Sequence, residues 1–171
     1  MLIVFSGLPG TGKTTIASAL ASQISAVYLR IDTIEQAIRN CAALAGGVGR
    51  SGYCVANELA RSNLRLGRTV IADCVNPVTE SRQAWREVAA SAGVPLVNIQ
   101  VVCSDKREHQ RRVETRQGDV VGLATPTWQA VLNHEYEAWD GTPFTLNSAL
   151  MPPAEAVAVI IRRFLGEGAQ T

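Results

Sequence analysis

The chain has no long hydrophobic run. Its first apolar stretch, Leu2-Ile3-Val4-Phe5, is too short for a signal core or a membrane span, and no basic region precedes it. The expectation is a cytoplasmic protein with no membrane association. Cysteine is sparse. Cys41, Cys54, Cys74 and Cys103 contain no C-x-x-C spacing, which excludes the usual local metal or redox motif. Three of them fall on otherwise apolar segments and read as small core side chains kept reduced. Cys74, next to Asp73, reads instead as lying at an active-site edge. Excess charge is missing too. A net charge of +1 gives no reason to expect a long polyanion as partner, although a local basic patch fits within a balanced total. There is no internal repeat, no low-complexity segment and no guanine-reading N-K-x-D sequence. His109 and His134 lack metal-ligand spacing and read as surface or cap residues.

What is present is an alternation of short β-branched runs with longer helical ones. Strands are expected at Leu2–Ser6, Ala26–Arg30, Arg68–Asp73, Leu96–Val102 and Phe144–Asn147. Helices are expected at Lys13–Gln23, Thr33–Leu44, Tyr53–Leu66, Val78–Ala92, Asp105–Arg116, Thr127–Trp139 and Ala154–Leu165. This pattern implies an α/β fold, a parallel sheet with helices on both faces. A chain of 171 residues with 47% hydrophobic residues suffices for one domain and its core. The domain is expected over 1–165, with a frayed tail at 166–171. Two stretches interrupt the pattern: the glycine-rich Gly46–Gly52, a flap or a linker, and Gln117–Thr125, which reads as a lid. Trp128, Leu132, Tyr136 and Trp139 fit one apolar helix face, with core packing as the default.

The decisive motif is Gly7-Leu8-Pro9-Gly10-Thr11-Gly12-Lys13-Thr14, placed directly after the first strand and opening a helix. It has the phosphate-binding form G-x-x-x-x-G-K-[ST]. Glycines let the backbone bend and aim successive N–H groups at an anion, and the helix N-terminus adds its positive dipole end. Residues Gly7 to Thr15 are therefore the candidate nucleotide-binding set. Lys13 would reach the β- and γ-phosphates of ATP, and the Thr14 hydroxyl would ligate Mg²⁺.

Asp32 follows the second strand, at the sheet edge to which the first strand delivers the phosphate loop. A carboxylate there can take the proton of an attacking hydroxyl, or cap a helix. Asp73 ends the apolar run Val70-Ile71-Ala72, the Walker-B form whose carboxylate supports Mg²⁺; a simple turn role is the alternative. Arg112 and Arg116 are four residues apart on one helical stretch. They are either lid arginines stabilising a phosphoryl group in flight or part of a solvated, ion-paired helix with Glu108 and Glu114. Arg107 and Arg111 read as surface charges.

From Leu2 to about Leu165 the chain resembles the small P-loop kinases related to polynucleotide kinase, chloramphenicol phosphotransferase, gluconate kinase and zeta toxin. The resemblance rests on Gly7–Thr14, on Arg30-Ile31-Asp32-Thr33-Ile34-Glu35, and on Val70-Ile71-Ala72-Asp73-Cys74-Val75-Asn76-Pro77 with Arg82 and Trp85. The arginine helix and Thr125-Pro126-Thr127-Trp128 complete it. It implies a P-loop three-layer sandwich with a five-stranded parallel sheet in the order 2-3-1-4-5 and a lid, here about 112–127. It also implies transfer of the γ-phosphoryl group of ATP to a hydroxyl, with Mg²⁺. Asp32 falls where the family keeps its general base, with Lys13, Arg112 and Arg116 as the other catalytic candidates. Polynucleotide kinase carries an arginine three residues after that aspartate; this chain has Glu35. A carboxylate there repels a substrate phosphate, so the expected acceptor is a small molecule such as a sugar, an antibiotic or an aminated metabolite. Two alternatives remain at this level: a polynucleotide or RNA 5′-hydroxyl kinase, and an ATP-binding switch whose slow hydrolysis regulates a partner.

Overall fold

A computed structural model describes residues 1–41 and 47–166. The end of the helix expected to Leu44, part of the Gly46–Gly52 stretch and most of the 166–171 tail lie outside the described residues.

Five strands, β1 (Leu2–Ser6), β2 (Val27–Arg30), β3 (Val70–Asp73), β4 (Leu96–Val102) and β5 (Phe144–Asn147), form one sheet in the order β2-β3-β1-β4-β5. Every pairing is parallel. Between them run α1 (Lys13–Gln23), α2 (Ile31–Asn40), α3 (Ser51–Arg65), α4 (Thr79–Ala92), α5 (Lys106–Thr115), α6 (Trp128–Leu132) and the final α7 (Pro153–Phe164). The sheet order and class agree with expectation.

The central strand explains the layers. β1 is buried along its whole length, so its residues alternate between two cores. Leu2 and Val4 pack with Val70, Ala72 and the inner faces of α3 and α4, through Ala56, Ala60, Trp85 and Val88. Ile3 and Phe5 pack on the other side with Ile71, α1 and α7, through Ile16, Leu20, Val157 and Ile160. Small residues on α3 let it sit close to the strands. Register then places the chemistry: Phe5 is level with Asp73, and Asp73 with Arg30. The carboxyl ends of β1, β2 and β3 therefore open onto one edge.

Three local expectations are corrected. Asp32 does not cap a helix: α2 begins at Ile31 with Arg30 as its N-cap, so Asp32 lies in the first turn, where a carboxylate suits the dipole. Arg116 is not on a helix face with Arg112; it is the extended C-cap of α5. The helix expected over Thr127–Trp139 ends at Leu132. Arg82 of α4 donates to the carbonyls of Glu137 and Ala138 at 2.8 and 2.7 Å, which holds that stretch out of helical geometry. Tyr136 and Trp139 consequently pack on the Arg82 guanidinium, Trp128 packs on His109, and Leu132 is exposed.

Candidate active site

The loop after β1 has the backbone its glycines allow. Gly7, Gly10 and Gly12 have φ of +144°, +82° and +87°. Two of them are also fixed by space: a Cβ on Gly7 would sit 2.3 Å from the Val101 carbonyl oxygen, and one on Gly10 2.5 Å from Val113 Cγ2. The Thr11 hydroxyl donates to Leu8 O at 2.9 Å and closes the turn. In α1 the first intrahelical bond is Ile16 N–H to Gly12 O. The amides of Lys13, Thr14 and Thr15 thus lack a helical acceptor and form the positive end of the dipole.

A cleft of about 420 Å³ lies between this loop and α5, lined by Gly12, Lys13, Thr14, Thr15, Arg112 and Arg116 among others. Lys13 is only 5% exposed, and among the described residues no carboxylate lies within 4.0 Å of it. A buried ammonium without a counter-charge calls for an anion. Arg112 is held at the rim: Nη1 donates to Ser148 Oγ at 2.9 Å, and Nε to Glu108 Oε1 at 2.7 Å. Arg111 and Arg112 together hold the Glu108 carboxyl down at about 2.

A second cavity of about 200 Å³ lies beyond Lys13. Asp32, Lys13 and Arg116 line it, and Gly118, Asp119 and Leu123 to Pro126 roof it. The two cavities share Lys13, Arg116 and Asp119. Asp32 is 37% exposed, and its cationic neighbour is Arg30, whose Nη2 lies 3.7 Å away. Glu35, one turn on, lines neither cavity. It pairs with Arg39 at 3.2 Å and packs against Gly52 of α3, and burial raises its pKa despite Arg39. Its expected repulsion of a substrate phosphate is therefore partly neutralised locally.

Asp73 is 2% exposed. Its Oδ2 accepts from the Tyr28 hydroxyl at 2.7 Å, whereas its Oδ1 is buried with no partner. Burial and the Asp73 carboxylate push the Tyr28 phenol far up, so it stays a donor. An orphaned carboxylate oxygen at the edge that carries Thr14 is a donor set suited to a hard divalent cation and its waters.

The chain matches the family model AAA_33, an AAA domain, over residues 2–133. It belongs to that family. A curated protein from Aeropyrum pernix named "Probable adenylyl-sulfate kinase" is 28% identical over 109 residues, 61% of this chain. The chain spans 60% of the length of that curated relative. Among solved structures, a sugar kinase from Janibacter sp. superposes with TM-score 0.69 at 18% identity, covering 99% of this chain and 98% of that one. An APS kinase from Mycobacterium tuberculosis in complex with AMPPNP and APS superposes with TM-score 0.61 at 18% identity, covering 93% and 94%. The fold of this AAA domain is that of the small P-loop kinases.

Several residues of this AAA domain stand where sequence reasoning did not put them. His109 is buried, not a surface residue; its Nε2 lies 2.8 Å from Pro9 O and its ring meets Trp128 edge-on at 5.1 Å. A carbonyl only accepts, so Nε2 carries the proton and steadies the phosphate loop. Burial corrects the cysteines: Cys41 and Cys54, expected in the core, are exposed and Cys103 is half-buried, while Cys74 follows Asp73 at the end of β3 and is buried, its thiol pushed up by desolvation. Arg30 and Asp119, joined through both carboxylate oxygens, were missed altogether. A charged residue ending an otherwise apolar strand was the available signal for Arg30; Asp119 sits in an unpatterned loop and had none.

Proposed function

We propose that this chain is an ATP- and Mg²⁺-dependent phosphotransferase that moves the γ-phosphoryl group to a hydroxyl of a small molecule, with Asp32 as general base. One observation carries the reading. The anion-seeking cleft and the Asp32 cavity meet at Lys13 and Arg116, where a donor and an acceptor would face each other. The nucleotide phosphates lie along the Gly7–Thr15 backbone. The acceptor hydroxyl enters the second cavity and gives its proton to an Asp32 oxygen. Its oxygen then bonds the γ-phosphorus as the bond from that phosphorus to the β,γ-bridging oxygen breaks, and ADP leaves with the electron pair. Lys13 and Arg116 face the phosphoryl oxygens as charge spreads over them, and Arg112 flanks the cleft. Thr14 and Asp73 would hold the Mg²⁺, which when bound supplies charge neutralisation of the phosphates.

The acceptor cavity measures about 200 Å³. A cavity of that size beside Asp32 supports a small-molecule acceptor. The names of the sugar kinase and adenylyl-sulfate kinase relatives support a small-molecule acceptor in kind. The absence of a helix long and apolar enough to cross a membrane, among the described residues, is compatible with a cytoplasmic site of action.

The test is ADP release with Mg²⁺-ATP against sugars, nucleosides, aminoglycosides, phenolic and aliphatic alcohols and 5′-hydroxyl oligonucleotides. Asp32→Asn runs beside the parent. A productive acceptor should raise ADP release, and Asp32→Asn should lose at least about 100-fold of that rate with ADP affinity kept. Equal turnover in Asp32→Asn removes Asp32 from the mechanism. Slow hydrolysis indifferent to every acceptor removes the kinase reading for this panel in favour of a switch.

A further inference from the structure

The roof over Asp32 is a stretch of irregular chain, yet one buried cation ties it to the sheet. Arg30 ends β2 and is 9% exposed. Its Nη1 and Nη2 grip both carboxylate oxygens of Asp119, the second at 3.0 Å. The same guanidinium lies 3.7 Å from Asp32 and 3.9 Å from Asp73. Asp119 is also the acceptor for Arg116 Nη2 at 3.2 Å. Three residues on, the roof meets α2, where a Cβ on Gly122 would come 3.0 Å from Gln36 Nε2. Within 118–126 the backbone offers one hydrogen bond of its own, Leu123 N–H to Val120 O. The roof therefore gets little support from itself, and its fork-shaped contact with Arg30 is the strongest tie it has.

We propose that Arg30 is a positioning residue: by anchoring Asp119 it holds segment 117–126 over Asp32 and sets Arg116 at the junction of the two cavities. The inference rests on reading the second cavity as the acceptor pocket. Arg30 touches no reacting atom. Its guanidinium is occupied by Asp119 when the roof is down, which leaves Asp32 with a longer, weaker contact and free to receive a hydroxyl proton. Losing the anchor releases the roof, admits water to the pocket and turns Arg30 toward Asp32.

The test reads the roof itself. Trypsin can cut between Arg116 and Gln117 only when this segment opens. The cleavage rate is measured by mass spectrometry on the parent, Asp119→Asn, Arg30→Lys and the double variant. Each rate is normalised to a synthetic peptide carrying the same local sequence. Asp119→Asn and Arg30→Lys should each speed cleavage about tenfold, the scale of one charge-assisted bond, and the double variant should be no faster than either. Unchanged cleavage in Asp119→Asn overturns the anchor, as does additivity in the double variant. Faster cleavage in Arg30→Lys alone overturns it too, because Arg30 then acts through Asp73 or Asp32. If Arg30→Lys does not fold, Asp119→Asn is compared with Arg116→Lys, which keeps the trypsin site and the Arg30–Asp119 fork. Faster cleavage in Asp119→Asn supports the anchor and equal rates overturn it, and Asp119, 52% exposed, can be replaced with the core intact. Phosphoryl transfer plays no part in this readout. A failed anchor leaves cleavage unchanged, whereas a failed kinase reading leaves ADP release indifferent to every acceptor.

Discussion

Replacing His109 by Phe keeps a ring beside Trp128 and deletes one proton donor. The lost bond is Nε2–H to Pro9 O, 2.8 Å long and under a side chain that is 8% exposed. Its net worth is about 1 kcal/mol, rising to about 2 kcal/mol where the abandoned carbonyl stays dry. His109→Ala goes further, since it also removes the edge-on contact with Trp128, about 1 kcal/mol more, and leaves a void behind Gly10. The cost should appear in binding as well as folding. Pro9 lies between the glycines whose backbone angles shape the anion site, so a loosened Pro9 must be reordered when a nucleotide docks. A cost of 1–2 kcal/mol, the same rough range, weakens Mg²⁺-ADP binding about 5- to 30-fold. Titration calorimetry with Mg²⁺-ADP and urea unfolding, run on both variants, separate the two effects. Parent-like ADP affinity in both variants would refute a role for His109 in shaping the loop. Lost stability with unchanged ADP binding would reduce it to core packing.

Arg82→Met should cost about 3 kcal/mol or more in urea unfolding, because a buried guanidinium is removed from the carbonyls of Asn76, Pro77, Glu137 and Ala138. A loss below about 1 kcal/mol would show that Arg82 does not hold the 133–139 stretch in place. Acid should act through Asp119, whose carboxyl is held well below the usual range first by its hydrogen bonds to Arg30. A depressed folded pKa gives stability that is present above the unfolded value of about 3.9 and is lost as pH falls through the folded one. Parent stability should therefore fall more steeply than that of Asp119→Asn on acidification below about pH 4, and parallel curves would deny the pairing.

The phosphate loop was legible because all its determinants are local. A buried strand, three glycines of positive φ and a helix start occur within fourteen consecutive residues. Asp73 was legible for the same reason, as the residue ending an apolar strand. The position of Asp32 at the strand-2 edge was legible, but its helical role was not: the N-cap depends on where β2 releases the chain, and that is set by pairing with β3. The short α6 was misread because a helix-compatible stretch lost to Arg82, a residue some fifty positions earlier in the chain. Cys41, Cys54 and His109 were misread because burial depends on which faces other elements cover.

By itself, then, the amino-acid sequence determined an alternating α/β chain, a phosphate-binding turn after its first strand, and the acidic residues that end or follow two others. These are consequences of side-chain period and of backbone angles, which act over a few neighbouring residues. Tertiary structure alone decided that Arg30 would meet Asp119 across 89 positions, that His109 would reach back 100 positions to Pro9, and that the two cavities would join at Lys13 and Arg116. Those contacts form only once parallel pairing has brought the carboxyl ends of the strands to one edge, and no local pattern records which distant side chain arrives there.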